Sequence, residues 1–120
     1  IKQSCDIYFY ETARKLGVSV DFFQSNHEGA LVDYIQGKLE SCNGIMLNAG
    51  ALTHYGLSLK DAVLEAKIPI VEVHVSNIHS REEYRRHSVI EAIVVGQVAG
   101  LGWKGYSYGL ELLVNYIRDG

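Results

Sequence analysis

The sequence has few of the residues that cross-link a small fold. Its 120 residues include two cysteines and one proline. Cys5 and Cys42 are too few for a disulfide framework, and their spacing matches no zinc motif. Two reduced structural thiols in a cytoplasmic protein are therefore expected.

The sequence also lacks long apolar runs and an excess of positive charge. No apolar run reaches the roughly 20 residues that span a bilayer, and no secretory signal pattern opens the chain. The formal net charge of -3 argues against nucleic acid as the main partner. We expect neither a membrane nor a nucleic acid to be bound.

What the sequence does contain is typical of a globular domain. Hydrophobic residues make up 48% and charged residues 21% of the chain, a balance that does not fit a disordered protein. A chain of this length is expected to fold as one domain, residues 1–120, with a real core.

Helical and strand-like patterns alternate along the chain. Strands are predicted at 18–23, 44–48, 68–75 and 93–99, and helices at 5–16, 28–40, 57–66 and 106–117, with a short helix beginning at Ser80. This alternation predicts an α/β fold with a parallel sheet covered by helices on both faces. The opening is ambiguous, because Ile7 and Phe9 also alternate as in a strand over Ser4 to Tyr10.

Glu72 and His74 are the most informative polar residues of the predicted third strand. They are two apart, so they share one face of an otherwise apolar strand, and burying them costs several kcal/mol unless they are paired. One interpretation is a histidine acid or base held by a carboxylate. The others are a structural pair, or a strand end that reaches water.

Other polar residues follow the second and third strands, where ligands of parallel sheets bind. Asn48 either contacts a ligand or caps its loop, and His54 lies in that same loop. Arg81 and Arg85 share a helix face that suits an anionic or polyhydroxylated ligand, although REEYRR is also typical of a solvated charge run.

Three weaker patterns carry no function by themselves. The glycines of GLGWKG lack the spacing of a dinucleotide site. The histidines of the third strand and the following segment lack the arrangement of a metal site. The tyrosines at 106, 108 and 116 indicate packing rather than a stacking surface.

Four segments, taken together, resemble the type II 3-dehydroquinate dehydratase family. They are FFQSNHEGALVDYIQ, IMLNAGALTHYGLSLKDA, IPIVEVHVSNIHSREEYRRHSVI and GLGWKGY, in the family's order and with similar spacing. The resemblance covers nearly the whole chain from Val18 onward. It implies a flavodoxin-like fold without metal or cofactor, and usually a dodecamer of four trimers.

The resemblance also implies a reaction and a set of roles. Family members dehydrate 3-dehydroquinate to 3-dehydroshikimate by anti elimination through an enolate. The resemblance implies that His74 protonates the leaving hydroxyl, that Glu72 orients that imidazole and that Arg81 sits beside the base. It implies that the substrate carboxylate and nearby atoms are held by Asn48, Ser76 and the backbone N–H of Val75. It also implies that His54 and Arg85 bind ring hydroxyls, and that Asp61 reaches in from a neighbouring subunit.

The family's base is a tyrosine on a lid after the first strand, near a G-P-N-L-N motif, and that pattern is missing here. Tyr8 and Tyr10 lie on the predicted first helix and are not expected to replace it. We expect roughly 25 further residues before Ile1, supplying a central strand and this lid.

Two other functions remain open from the sequence. One is a non-catalytic relative that binds a polyol carboxylate or serves in assembly. The other is a flavodoxin-like module for a phosphorylated ligand, which the lack of a visible phosphate loop disfavours. The sequence also leaves open whether the pathway is aromatic biosynthesis or quinate breakdown.

Overall fold

Three short parallel strands form the sheet of the computed structural model, which describes residues 2–78, 82 and 87–119. The strands are β1 (Ile45–Leu47), β2 (Ile70–His74) and β3 (Gly96–Ala99), in the order β1-β2-β3. The helices are α1 (Lys2–Leu16), α2 (Glu28–Lys38), α3 (Leu57–Ala66) and α4 (Gly105–Asp119), with 3-10 turns at Gly50–His54 and Gly102–Lys104.

Alternate residues of β2 pack against helices on opposite faces of the sheet. Ile70 belongs to a buried cluster with Leu47 and with residues of α2 and α3. Val71 and Val73 belong to a second cluster with Leu113 of α4. Because side chains of a strand alternate between faces, Glu72 and His74 point to the α2 and α3 side. The predicted sheet with helices on both faces is confirmed.

Helix α1 packs on α4 and ends where the sequence predicts. Phe9 and Ala13 form a buried cluster with Leu110 and Val114 of α4. Gly17 has a φ of 71°, and the next residue's N–H donates to the Ala13 carbonyl at 3.1 Å. A positive φ favours glycine, so this residue ends the helix. The alternative strand at the start of the chain is wrong.

The predicted strand at residues 18–23 is also wrong. This segment is irregular: Val18 and Val20 pack beside the α1 and α4 cluster, while Phe22 and Phe23 are exposed. β-Branched and aromatic residues favour an extended chain, but a strand also needs a hydrogen-bonding neighbour. Among the described residues, only β2 pairs with β1, so the sheet has three strands where four were predicted.

The other predicted elements are confirmed within a few residues at their ends. The predicted strand at 93–99 begins only at Gly96, because the Ile93 N–H turns back to the Ile90 carbonyl at 3.0 Å. The predicted helix from Ser80 lies outside the described residues. No helix within the described part of the chain is long and apolar enough to cross a membrane.

Candidate active site

The carboxyl end of β2 carries a buried pair of ionisable side chains. His74, the last residue of the strand, has its Nε2 hydrogen-bonded to Oε2 of Glu72. Glu72 is 0% exposed and His74 is 5% exposed. An isolated buried charge costs several kcal/mol, so each side chain supplies the partner that the other requires. The pairing predicted from the two-residue spacing is therefore present.

Two polar atoms of this pair take no part in the hydrogen bond between the side chains. A carboxylate only accepts, so the Nε2 of His74 carries the hydrogen of the shared bond. Its Nδ1 is the ring nitrogen that takes no part in this bond. The second carboxylate oxygen, Oε1 of Glu72, is buried and has no hydrogen-bond partner among the described residues.

Asn48 lies at the same edge of the sheet but on the other face. Leu47 is opposite Glu72 in the strand register, so Asn48 leaves β1 beside the end of β2. Its Nδ2 donates to the hydroxyl of Tyr106 on α4 at 2.6 Å, and its Oδ1 accepts from the Gly50 N–H at 3.0 Å. A ligand that touches both Asn48 and His74 must therefore lie across the strand ends, where parallel sheets bind ligands.

The segment after β2 is held by the glycine-rich turn after β3. The Val75 carbonyl accepts from the Gly102 N–H at 3.0 Å, and the Ser76 carbonyl accepts from the Gly100 N–H at 3.2 Å. Both glycines have a positive φ, 81° at Gly100 and 65° at Gly102. The glycines of GLGWKG thus position the residues that follow His74.

His54 ends the 3-10 turn that follows β1. Its Nδ1 donates to the His87 carbonyl at 2.6 Å, which fixes the ring and places a hydrogen on Nδ1. The preceding carbonyl, of Thr53, accepts from the Val89 N–H at 2.7 Å. These two bonds attach the loop to the chain that returns toward β3.

Of the remaining predicted site residues, the structure describes only Asp61. Asp61 is exposed on α3. Arg81 and Arg85 lie outside the described residues. Tyr8 and Tyr10 are exposed on α1, where the Tyr8 ring lies 5.5 Å from the Lys104 Nζ and the Tyr10 ring packs against aromatic neighbours.

Sequence reasoning missed two contacts of this region. The sequence predicts only packing for Tyr106, yet its hydroxyl accepts a hydrogen bond from Asn48. The sequence predicts Glu28 only as the first residue of a helix, yet its Oε2 accepts from the Leu59 N–H of α3 at 2.9 Å. The only sequence signal for either contact is that Tyr106 and Glu28 each lie inside a segment that resembles the family.

Comparisons with known proteins agree with this architecture. The profile of the family described as "Dehydroquinase class II" matches residues 3–114. A 3-dehydroquinate dehydratase of Halothermothrix orenii is 50% identical over 108 residues, which are 90% of this chain and 73% of that protein.

Two crystal structures are also similar. The type II dehydroquinase of Propionibacterium acnes has a TM-score of 0.85 at 35% identity, covering 94% of this chain and 83% of that one. That of Butyrivibrio crossotus has a TM-score of 0.87 at 38% identity, covering 92% and 78%.

The fold is thus a flavodoxin-like α/β fold with a buried glutamate and histidine at the carboxyl end of a strand. The chain belongs to the class II dehydroquinase family.

Proposed function

We propose that this protein is a 3-dehydroquinate dehydratase whose general acid is His74, held by Glu72. The observation that carries the proposal is the buried hydrogen bond between these side chains at the end of β2. The identity of the substrate is inferred from the family to which the chain belongs. The reaction belongs to the shikimate pathway, and its product is 3-dehydroshikimate.

The chemistry is a loss of water across C1 and C2 of the substrate. A base removes a proton from C2, next to the ketone, and the electrons of that bond form an enolate. The enolate then collapses to a C1–C2 double bond as the C1 hydroxyl leaves. His74 gives that hydroxyl a proton from Nδ1, so it departs as water, and Glu72 stabilises the charged imidazolium beforehand.

The remaining roles are proposed as the resemblance to the family implies them. Asn48, Ser76 and the Val75 N–H hold the substrate carboxylate, and His54 binds a ring hydroxyl. We assign Arg85 to a second hydroxyl and Arg81 to the neighbourhood of the base, by the resemblance alone. The bonds from Gly100 and Gly102 support this set, because they hold the loop that carries two of its members.

The catalytic base is proposed to lie on a lid that follows a further strand. Among the described residues, β1 is hydrogen-bonded to another strand along only one of its two edges. The segment at 18–23, whose residues favour an extended chain, pairs with no strand among them. A strand between them would complete the predicted sheet, and the family's lid with its tyrosine follows such a strand. A sheet edge left without a partner exposes backbone N–H and C=O groups, which this strand would satisfy.

A homo-oligomer, a dodecamer of trimers, is proposed as the working assembly, with Asp61 reaching a neighbour's His54. The support is that Asp61 is exposed on α3 with no partner among the described side chains. Sedimentation at increasing concentration tests the assembly. A fully active monomer would remove this part of the proposal.

The reaction is proposed to need no metal or cofactor and to run in the cytoplasm. A free thiol at Cys42 fits a reducing compartment. Dialysis against EDTA should leave the rate unchanged, and a rate restored only by an added metal would contradict this.

The stereochemistry of the elimination tests the function directly. We expect 3-dehydroquinate carrying deuterium at C2 anti to the C1 hydroxyl to lose its label to water. The epimer with deuterium on the syn side should keep the label in the product. Mass spectrometry of the product separates the two results, and loss of the syn label would refute the anti elimination. Absence of any turnover would refute the dehydratase function.

A further inference from the structure

The hydroxyl of Tyr106 lies against the side chain of Asn48. The distance from Asn48 Nδ2 to the phenolic oxygen is 2.6 Å, and the two residues are 58 apart in the chain. Tyr106 belongs to the first turn of α4, whereas Asn48 follows β1. The contact therefore joins a helix on one face of the sheet to the edge where ligands bind.

The hydrogen bonds around Asn48 decide which way its amide points. The Gly50 N–H can only donate, so the atom facing it must be the oxygen, Oδ1. The nitrogen then faces Tyr106 and donates one of its two hydrogens to the phenol oxygen. The second Nδ2 hydrogen remains, and so does the hydrogen of the Tyr106 hydroxyl, because that oxygen accepts from Asn48.

The ring of Tyr106 is itself held in place. It is half-buried beside Val71 and Val73 of β2. The Trp103 ring stacks on it with centroids 5.8 Å apart and an interplanar angle of 21°. A hydroxyl on a fixed ring is a more exact partner for an amide than water would be, since no side-chain entropy is lost when the ligand binds.

We propose that Tyr106 is a positioning residue for Asn48, and that its own O–H is the second donor toward the same bound anion. A carboxylate fits this pair, because its two oxygens can accept from two neighbouring donors. The inference rests on the proposed function, in which Asn48 holds the substrate carboxylate.

The test compares Tyr106→Phe with Tyr108→Phe in the complete protein. Tyr108 is on the same helix, and its side chain is 46% exposed, so it controls for loss of a phenol. Loss of a neutral hydrogen bond should raise the KM for 3-dehydroquinate about 3- to 10-fold in Tyr106→Phe. The kcat should stay within about twofold, since binding of the carboxylate is the same in substrate and transition state. Tyr108→Phe should leave both constants unchanged.

A double-mutant cycle shows whether Tyr106 acts through Asn48. In an Asn48→Ala background, Tyr106→Phe should change KM by much less than in the wild type, because the orienting effect has no amide to act on. An effect of equal size in both backgrounds would overturn the inference. A collapse of kcat at constant KM would also overturn it, since that would indicate a part in the chemistry itself.

The side-chain amide of Asn48 gives a readout that does not depend on turnover. In the wild type its two hydrogens should give separate 1H–15N signals, and Tyr106→Phe should shift them while Tyr108→Phe does not. Unshifted signals would refute the positioning role even in an active enzyme. A shift in a protein that never turns over 3-dehydroquinate would instead keep the positioning role and reject the proposed function.

Discussion

His74 donates a hydrogen bond from Nε2 to Glu72, two residues earlier on the same strand, inside the layer between the sheet and helices α2 and α3. Neither side chain has an appreciable surface in water. The arrangement fixes the imidazole ring, and Nδ1 is the nitrogen to which the proposed function assigns the proton transfer.

Replacing His74 with alanine should lower kcat far more than it changes KM. A general acid contributes about 10²–10⁴-fold to rate and acts mainly in the transition state. Steady-state kinetics on 3-dehydroquinate measure both constants. His27→Ala is the control, because that histidine is exposed before α2. An unchanged kcat in His74→Ala would show that another group protonates the leaving hydroxyl.

Glu72→Gln should lower kcat by about 5- to 30-fold, although the two side chains have nearly the same shape. A hydrogen bond to a charged group is stronger than a neutral one by about 1–2 kcal/mol, and only a carboxylate stabilises the imidazolium. Glu65→Gln, on the exposed face of α3, is the matched control. If Glu72→Gln retains the full rate, the carboxylate has a structural role only.

Gly100→Ala should damage the site more than Gly102→Ala. Both glycines have a positive φ, so either alanine costs about 1–2 kcal/mol of stability. At Gly100 a Cβ would also lie 3.1 Å from the Cβ of Asn77, whereas at Gly102 nothing lies within 4 Å. The added displacement of the loop after β2 should reduce kcat/KM in Gly100→Ala alone. Denaturant unfolding and kinetics of both variants check this, and equal kinetic losses would contradict it.

Glu28→Ala should lower the free energy of unfolding by about 1 kcal/mol. Its Oε2 accepts from the Leu59 N–H in the first turn of α3, where the N-cap residue Gly56 has no side chain to do so. A carboxylate near a helix N-terminus is also favoured by the helix dipole. Urea unfolding measures the loss. The control is Glu65→Ala, at an exposed position of α3, which should change the free energy of unfolding much less.

The helices were predictable because their apolar residues recur with the helical period. The helix at Leu57–Ala66 has the predicted ends, and Gly17 ends α1 as its position in the sequence predicts. The pairing of Glu72 with His74 was also predictable, because a two-residue spacing places both on one face of a strand. These features depend on neighbours that are close in the chain.

The failed prediction at residues 18–23 has a different cause. Val18, Val20 and Phe22 have high strand propensity, but propensity does not provide a hydrogen-bonding partner. A strand forms only where a second strand runs beside it, and pairing depends on residues distant in sequence. Local pattern could therefore indicate an extended segment but not its place in a sheet.

By itself the sequence determined the α/β order, most element boundaries, the family resemblance and the placement of Glu72 and His74 on one face of β2. Only the tertiary structure decided that Tyr106 orients Asn48 across 58 residues, and that Glu28 caps α3 across 31. Such contacts arise from how helices pack on the sheet and on one another. A one-dimensional pattern records the buried face of a helix, but not which polar atom of a neighbouring element that packing brings within hydrogen-bonding distance.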